Sequence, residues 1–292
     1  MKKLGILLLA ALITFFFTAT SYAGPWTLNK GKLWTEVFTR YYFAKEKFDS
    51  EGNRSRWPND GHSRIYDLEG KAEYGLTDRL NLQLGVPYAW SRWSNDYGKL
   101  KHEGFKRINI GAKYKFMDNP VCAAIQAKAM IHPGDVDKVK QPDLFEYGSA
   151  LEARLMVGKS FSVFKRPSYF STEVGYELKS NWINEAEYGN KVPIFAELGF
   201  SPFDWLMLKG EIDISITHRG TGKIKDTYTW RAGPIINLMG KGFSSIEKGG
   251  DSSLNVEFLY GRTFYGQGDE SYAKYRDVSA ADEYIAKVQV LW

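Results

Sequence analysis

Charged side chains recur at every second position through much of this chain, inside segments whose intervening positions are apolar. The acidic members are Glu36, Asp67, Glu69, Glu73, Glu152, Glu173, Glu177, Glu197, Glu211, Asp213 and Glu257; the basic ones are Arg40, Lys71, Arg107, Lys113, Lys115, Lys128, Arg154, Lys179, Lys209, Arg231 and Lys287. Gathered on one face, such groups can act in two ways. If signs segregate, with Asp67, Glu69, Lys71 and Glu73 on one wall and Arg107, Lys113 and Lys115 on another, a transverse field orients dipolar solutes at a constriction. If signs interleave, the charges pair across neighbouring segments into a hydrated network that stabilises an interior. Eleven groups of each sign predict no overall preference for anions or cations, and both arrangements remain open.

The rest of the chain offers little chemistry. His62, His102, His132 and His218 fall in or beside long polar connections, near Asp60, Glu103 and Asp135, but come from different connections at no ligand spacing. Solvated loop histidines account for them better than a metal site does. Gly261, Gly266 and Gly268 lack the Lys-Ser/Thr of a phosphate loop and read as turn chemistry. Trp93, Tyr97 and Phe105, and separately Trp182 and Tyr188, could stack a sugar or aromatic ligand, although packing loops together is the better account. An outer-membrane lipase would need a nucleophile and a base together on a strand. No expected strand carries a histidine, so no catalytic residue, metal or cofactor is expected.

The elements that position the charges announce themselves by a period of two. In Leu80 to Trp90 the even positions read Leu, Leu, Leu, Val, Tyr, Trp, while the odd ones are polar or small. Successive strand residues point to opposite faces, so this is a strand with one apolar face. Twelve such segments fall near 32–43, 63–75, 80–91, 105–116, 121–131, 149–158, 169–179, 192–201, 205–216, 227–239, 253–264 and 283–292. Tight turns at 76–79, 117–120 and 202–204 alternate with long connections at 44–62, 92–104, 132–148, 180–191, 217–226 and 265–282. Two connections on the short side, 159–168 and 240–252, are longer than that scheme requires.

A soluble β-sandwich would show the same alternation. The even count of long strands, the two classes of connection and the aromatics near strand ends (Trp34, Tyr41, Tyr42, Phe43, Tyr88, Trp90, Tyr176, Tyr260 and Trp292) instead predict an all-β, transmembrane, antiparallel up-and-down barrel of about 12 strands, with short periplasmic turns and long extracellular loops. This also reconciles 9 Trp, 18 Tyr and 18 Phe with a mean hydropathy of −0.38.

Residues 1–23 read as a cleaved signal peptide: Lys2 and Lys3, an apolar run from Leu4 to Phe17, and Ser21-Tyr22-Ala23 as the cleavage site. The barrel domain is then 24–292, and the formal charge of +5 falls by two with the loss of Lys2 and Lys3. Near-neutrality and export leave no place for a nucleic-acid partner. Cys122 stands alone and cannot form an internal disulfide.

The stretch Glu73-Tyr74-Gly75-Leu76-Thr77-Asp78-Arg79-Leu80-Asn81-Leu82-Gln83-Leu84-Gly85-Val86-Pro87-Tyr88 resembles a hairpin of the MetA-pathway-of-phenol-degradation family of outer-membrane transporter-like proteins. A terminal strand ending at Trp292 resembles the assembly signal of bacterial outer-membrane barrels as a class. These resemblances imply passage of small compounds, aromatic ones included, and recognition of the last strand by the barrel-assembly machinery. The expected function is passive transport of small solutes through a charged lumen in the outer membrane, with outer-membrane lipid as surroundings. The alternative is a structural or assembly-partner barrel with a closed lumen. About eight residues before the first strand leave no room for a plug domain.

Overall fold

The computed structural model describes residues 24–133, 149–180, 189–218, 225–239, 243, 252–267 and 278–292. Its strands are β1 (Leu33–Phe48), β2 (Arg54–Arg56), β3 (His62–Gly75), β4 (Leu80–Asn95), β5 (Gly98–Phe105), β6 (Ile108–Met117), β7 (Cys122–Ile131), β8 (Ser149–Val163), β9 (Arg166–Ser180), β10 (Lys191–Phe203), β11 (Leu206–Thr217), β12 (Asp226–Met239), β13 (Ser253–Gln267) and β14 (Val278–Leu291). Each pairs antiparallel with its neighbour, and β1 pairs with β14 from Trp34↔Leu291 to Phe48↔Val278, closing the sheet. Two strands stand outside the wall. β2 pairs with the end of β1, and β5 with the upper half of β4. The wall is therefore a twelve-stranded, up-and-down, closed barrel.

Parity decides which side each residue takes, and the sides are inverted relative to a soluble protein. Leu82, Leu84, Ile110, Ile125, Leu155, Val174, Leu208 and Ile212 stand 45–51 % exposed on the outside, whereas Glu73, Lys113, Lys209 and Glu257 are at most 4 % exposed inside. A sandwich would bury the first set and bare the second. Aromatics form two outer bands. Cross-strand register aligns Tyr260, Tyr284, Tyr41, Tyr66 and Trp90 in one row at the long-loop end, with adjacent ring centroids 5.3, 6.2 and 4.7 Å apart across the first four. Tyr74, Phe116, Phe203, Trp205 and Trp292 are exposed at the other end. From Tyr66 to Tyr74 the strand rises about 27 Å, or roughly 20 Å along the barrel axis at the usual tilt, close to the height of a lipid-facing band.

Several boundaries differ from the sequence pattern. The connection expected over 159–168 is a turn of two residues, Phe164 and Lys165, both at positive φ (51° and 63°), the geometry whose twist matches a hairpin. The connection expected over 92–104 is itself a hairpin, because β4 continues to Asn95, whose side chain accepts hydrogen bonds from the Tyr97 and Gly98 N–H groups at 3.0 Å. β14 begins at Val278, five residues before the alternation becomes legible. Gly261 and Gly266 lie inside β13 rather than in a turn. The expected leader, Asp135, Trp182, Tyr188, Gly268 and most of 240–252 lie outside the described residues.

Candidate functional site

Closing the sheet creates an interior, and residues 24–28 enter it from the short-turn end. Pro25, Thr27 and Leu28 are buried. Thr27 Oγ1 donates to the Asp78 carbonyl at 2.8 Å, tying the segment to the β3–β4 turn. On the far side the Trp26 ring meets Tyr169 edge-on at 5.7 Å, and Lys113 Nζ donates to the Gly24 carbonyl at 3.3 Å. Gly158 explains how the chain fits. A Cβ there would sit 2.9 Å from Trp26 and 3.0 Å from Pro25. The described residues before β1 thus cross the mouth themselves.

Beyond them lies a cavity of about 370 Å³ lined by Gly24, Trp34, Glu36, Arg40, Lys71, Glu73, Lys113, Lys128, Arg154, Glu173, Glu197, Lys209, Glu211, Arg231 and Lys287, among others. Its charges interleave. Lys113 lies 2.9 Å from Glu73 across the width of β4, so these two groups, candidates for opposite walls, neutralise each other. Lys71 pairs with Glu36 at 2.9 Å and Glu69 at 3.7 Å. Arg40 pairs with Asp67, and Lys128 with Glu152 at 2.7 Å. Arg154 joins Glu152 at 2.6 Å to Glu173 at 2.9 Å. Glu177 pairs with Arg107 at 2.8 Å and with Lys179. The densest cluster surrounds Lys209, with Glu211 at 2.6 Å and Glu197 and Glu257 at 2.9 Å. Lys287 touches Glu257 at 2.8 Å, and Arg231 bridges Asp213 at 3.2 Å and Glu283 at 2.8 Å. Lys115 stands apart, paired at 2.8 Å with Asp118 in the turn after β6. No wall of one sign exists among the described residues, so the transverse-field arrangement is not the one adopted.

Neutral side chains complete the network. Gln83 donates to Glu73 at 2.7 Å and accepts from Gln126 at 2.6 Å, while Gln289 donates to Glu36 at 2.7 Å. Tyr169 donates to Glu197 at 2.6 Å, linking the Lys209 cluster to the Trp26 ring. A reading confined to charges misses these amides, and the list of inward charges also omitted Glu283, the first residue of the expected last strand. Three long cations need an inward glycine opposite them. A Cβ at Gly111, Gly175 or Gly261 would fall 2.6–2.7 Å from the Cγ of Lys128, Arg154 or Arg231 respectively. The missing side chain lets each arm lie across the neighbouring strand to reach its carboxylate.

Two aromatics expected at the outer bands point inward. Trp34 is 8 % exposed in a cluster with Leu28, Leu254, Val290 and Leu291. Tyr42 sits opposite the buried Glu283 and therefore shares its face. His62 opens β3 and His102 lies in β5, so strands do carry histidine. His62 Nε2 contacts Ser94 Oγ at 2.8 Å and His218 Nδ1 contacts the Tyr176 hydroxyl at 2.9 Å. No metal-ligating group forms among the described residues. Tyr97 projects into solvent at 83 % exposure and Phe105 packs edge-on against Tyr88 at 5.1 Å.

No family model matches the chain, and no curated protein does. Among solved structures it is similar in fold to an outer membrane channel from Pseudomonas putida F1, with a TM-score of 0.65 and 12 % identity over 94 % of this chain and 100 % of that one. It matches the beta domain of the Bordetella autotransporter BrkA at 0.49, with 14 % identity over 90 % and 100 %, and a Pseudomonas aeruginosa FadL homologue at 0.44, with 9 % identity over 95 % and 99 %. The fold of this chain is that of an outer-membrane β-barrel.

Proposed function

We propose that the chain is an outer-membrane channel through which small solutes pass down their gradients, inserted by the barrel-assembly machinery through its last strand and Trp292 after removal of residues 1–23. One observation carries the reading. The interior holds a cavity of about 370 Å³, room for roughly a dozen waters or one small solute, with residues 24–28 between it and the short-turn end. The fold it shares with the P. putida channel supports this, and the phenol-degradation resemblance points to aromatic compounds among the solutes. Because its cations are matched by carboxylates, the lumen is expected to conduct anions and cations almost equally.

Planar-bilayer recording tests the proposal. Wild-type protein should show discrete conductance steps with a reversal potential near zero in a salt gradient. Trp26→Ala/Leu28→Ala, which loosens the segment at the mouth, should raise the unit conductance several-fold. The paired interior equally suits a structural barrel with a closed lumen. Silence from both proteins, each retaining a heat-modifiable gel shift, would favour that alternative and sink the channel.

A further inference from the structure

One row of the outer surface behaves differently from the interior. Two residues above the aromatic row on β3 and β4, about 7 Å along the strands, register aligns Arg262, Asp282, Phe43, Arg64, Arg92 and Lys101. At one end of the row the charge is matched, with Arg262 lying 3.5 Å from Asp282 and 3.6 Å from Glu46. At the other end Arg64, Arg92 and Lys101 are exposed and have no carboxylate partner among the described residues. Arg64 only rests over the Phe43 ring, at 5.6 Å, where Lys45 adds a fourth cation at the same distance. The outward carboxylate on the described residues of β3, β4 and β5, Glu103, stands one row lower beside Trp90. In a chain whose inner face matches its cations with carboxylates, a row of unmatched cations just above an aromatic band has a partner outside the chain. The height selects it, since tyrosine and tryptophan mark the headgroup level of a membrane.

We propose that Arg64, Arg92 and Lys101, flanked by Lys45, bind the phosphate groups of an anionic lipid in the leaflet at the long-loop end, with Tyr66 and Trp90 beneath contacting the top of its acyl region. Guanidinium groups suit phosphate through bidentate hydrogen bonds, and the lysines add charge. The proposal rests on the membrane-barrel reading above.

The probe is lipid A, a bis-phosphorylated glycolipid, titrated into detergent-solubilised protein and counted by native mass spectrometry. Its dephosphorylated form and inorganic phosphate are separate arms. Wild type should bind lipid A on the order of a hundredfold more tightly than Arg64→Ser/Arg92→Ser/Lys101→Ser. Arg262→Ser, which removes a matched cation from the same row, should change binding less than threefold, by roughly the worth of an exposed pair. Dephosphorylated lipid should lose the preference, and inorganic phosphate should not bind. Equal lipid A binding by wild type and triple variant, equal binding of the dephosphorylated form, or binding of free phosphate alone would each overturn the proposal. Flotation with phosphatidylcholine vesicles and the heat-modifiable shift are run on both proteins. Wild type that fails them defeats the membrane reading and the proposal together, whereas a barrel that inserts but ignores lipid A defeats the proposal alone.

Discussion

The two faces of β11 share one backbone and obey opposite rules. Inward, Lys209 and Glu211 are 4 % and 7 % exposed and sit among partners; outward, Leu208 and Ile212 stand 49 % and 47 % exposed and touch little. Between them the direction of the side chain is the only variable. Inside, polar groups are withdrawn from bulk water and must satisfy one another. Outside, hydrocarbon accepts an apolar side chain without further arrangement. Stability on the inner face therefore depends on particular partners, and on the outer face on polarity alone.

The sharpest break of that contrast is Lys209→Met. It leaves Glu197, Glu211 and Glu257 gathered without their shared cation, and Lys287, 2.8 Å from Glu257 and 3.9 Å from Glu211, compensates only in part. Removing one partner from a buried cluster costs about 3–5 kcal/mol. Urea unfolding of vesicle-inserted barrel, read by loss of the heat-modifiable band, should show that loss; wild-type stability would mean that the three carboxylates are hydrated rather than held.

The outer face is broken by charge instead. Leu155, near the middle of β8 and 45 % exposed, has no partner to lose, yet Leu155→Arg places a cation in hydrocarbon at about 2–4 kcal/mol. Vesicle thickness is the diagnostic. The penalty should shrink in short-chain lipid, where the bilayer rim comes closer, while the Lys209→Met penalty should not move.

What the sequence made legible divides along the same line. Parity is a property of one strand read alone, so the twelve strands and the facing of residues such as Lys71 and Glu173 can be taken from the alternation. Partners are a property of register, which is set by bulges such as those between Lys115 and Met117 or Phe200 and Phe203 that no single strand announces. The pairing of Lys113 with Glu73, and with it the loss of a transverse field, was hidden for that reason. Trp34 and Tyr42 were misplaced because residue type was read in preference to parity, which puts them in step with Glu36 and Arg40. The entry of residues 24–28 into the mouth was not read from the sequence, because their burial comes from Gly158 and Tyr169, over a hundred positions away. Trp26 and Leu28, apolar where a solvated lead-in would be polar, were the available signal.

A smaller effect tests the glycine slots. At Gly175 an added methyl meets Arg154 Cγ at 2.7 Å and the Ala153 carbonyl at 2.8 Å. Gly175→Ala must push the arginine arm away from Glu152 and Glu173, costing roughly 1–3 kcal/mol as overpacking. A double-mutant cycle with Arg154→Met would show most of that cost vanishing once the arm is gone. Additive effects would mean that the backbone carbonyl, not the cation, dictates the glycine.

Gly210 is the outward counterpart and carries the smallest expected effect. It lies next to Lys209 on β11, yet a Cβ built there meets nothing within 4 Å, because its side chain position faces lipid rather than the network. Its φ is not in the left-handed region, so alanine can adopt the native backbone without strain. Gly210→Ala then removes freedom from the unfolded chain and adds one methyl to the apolar face, for a gain of about 0.5 kcal/mol. Unfolding midpoints of the two glycine variants should therefore move in opposite directions from wild type. A loss at Gly210 would mean that something presses on that face, and the outer wall would no longer be free of specific partners there.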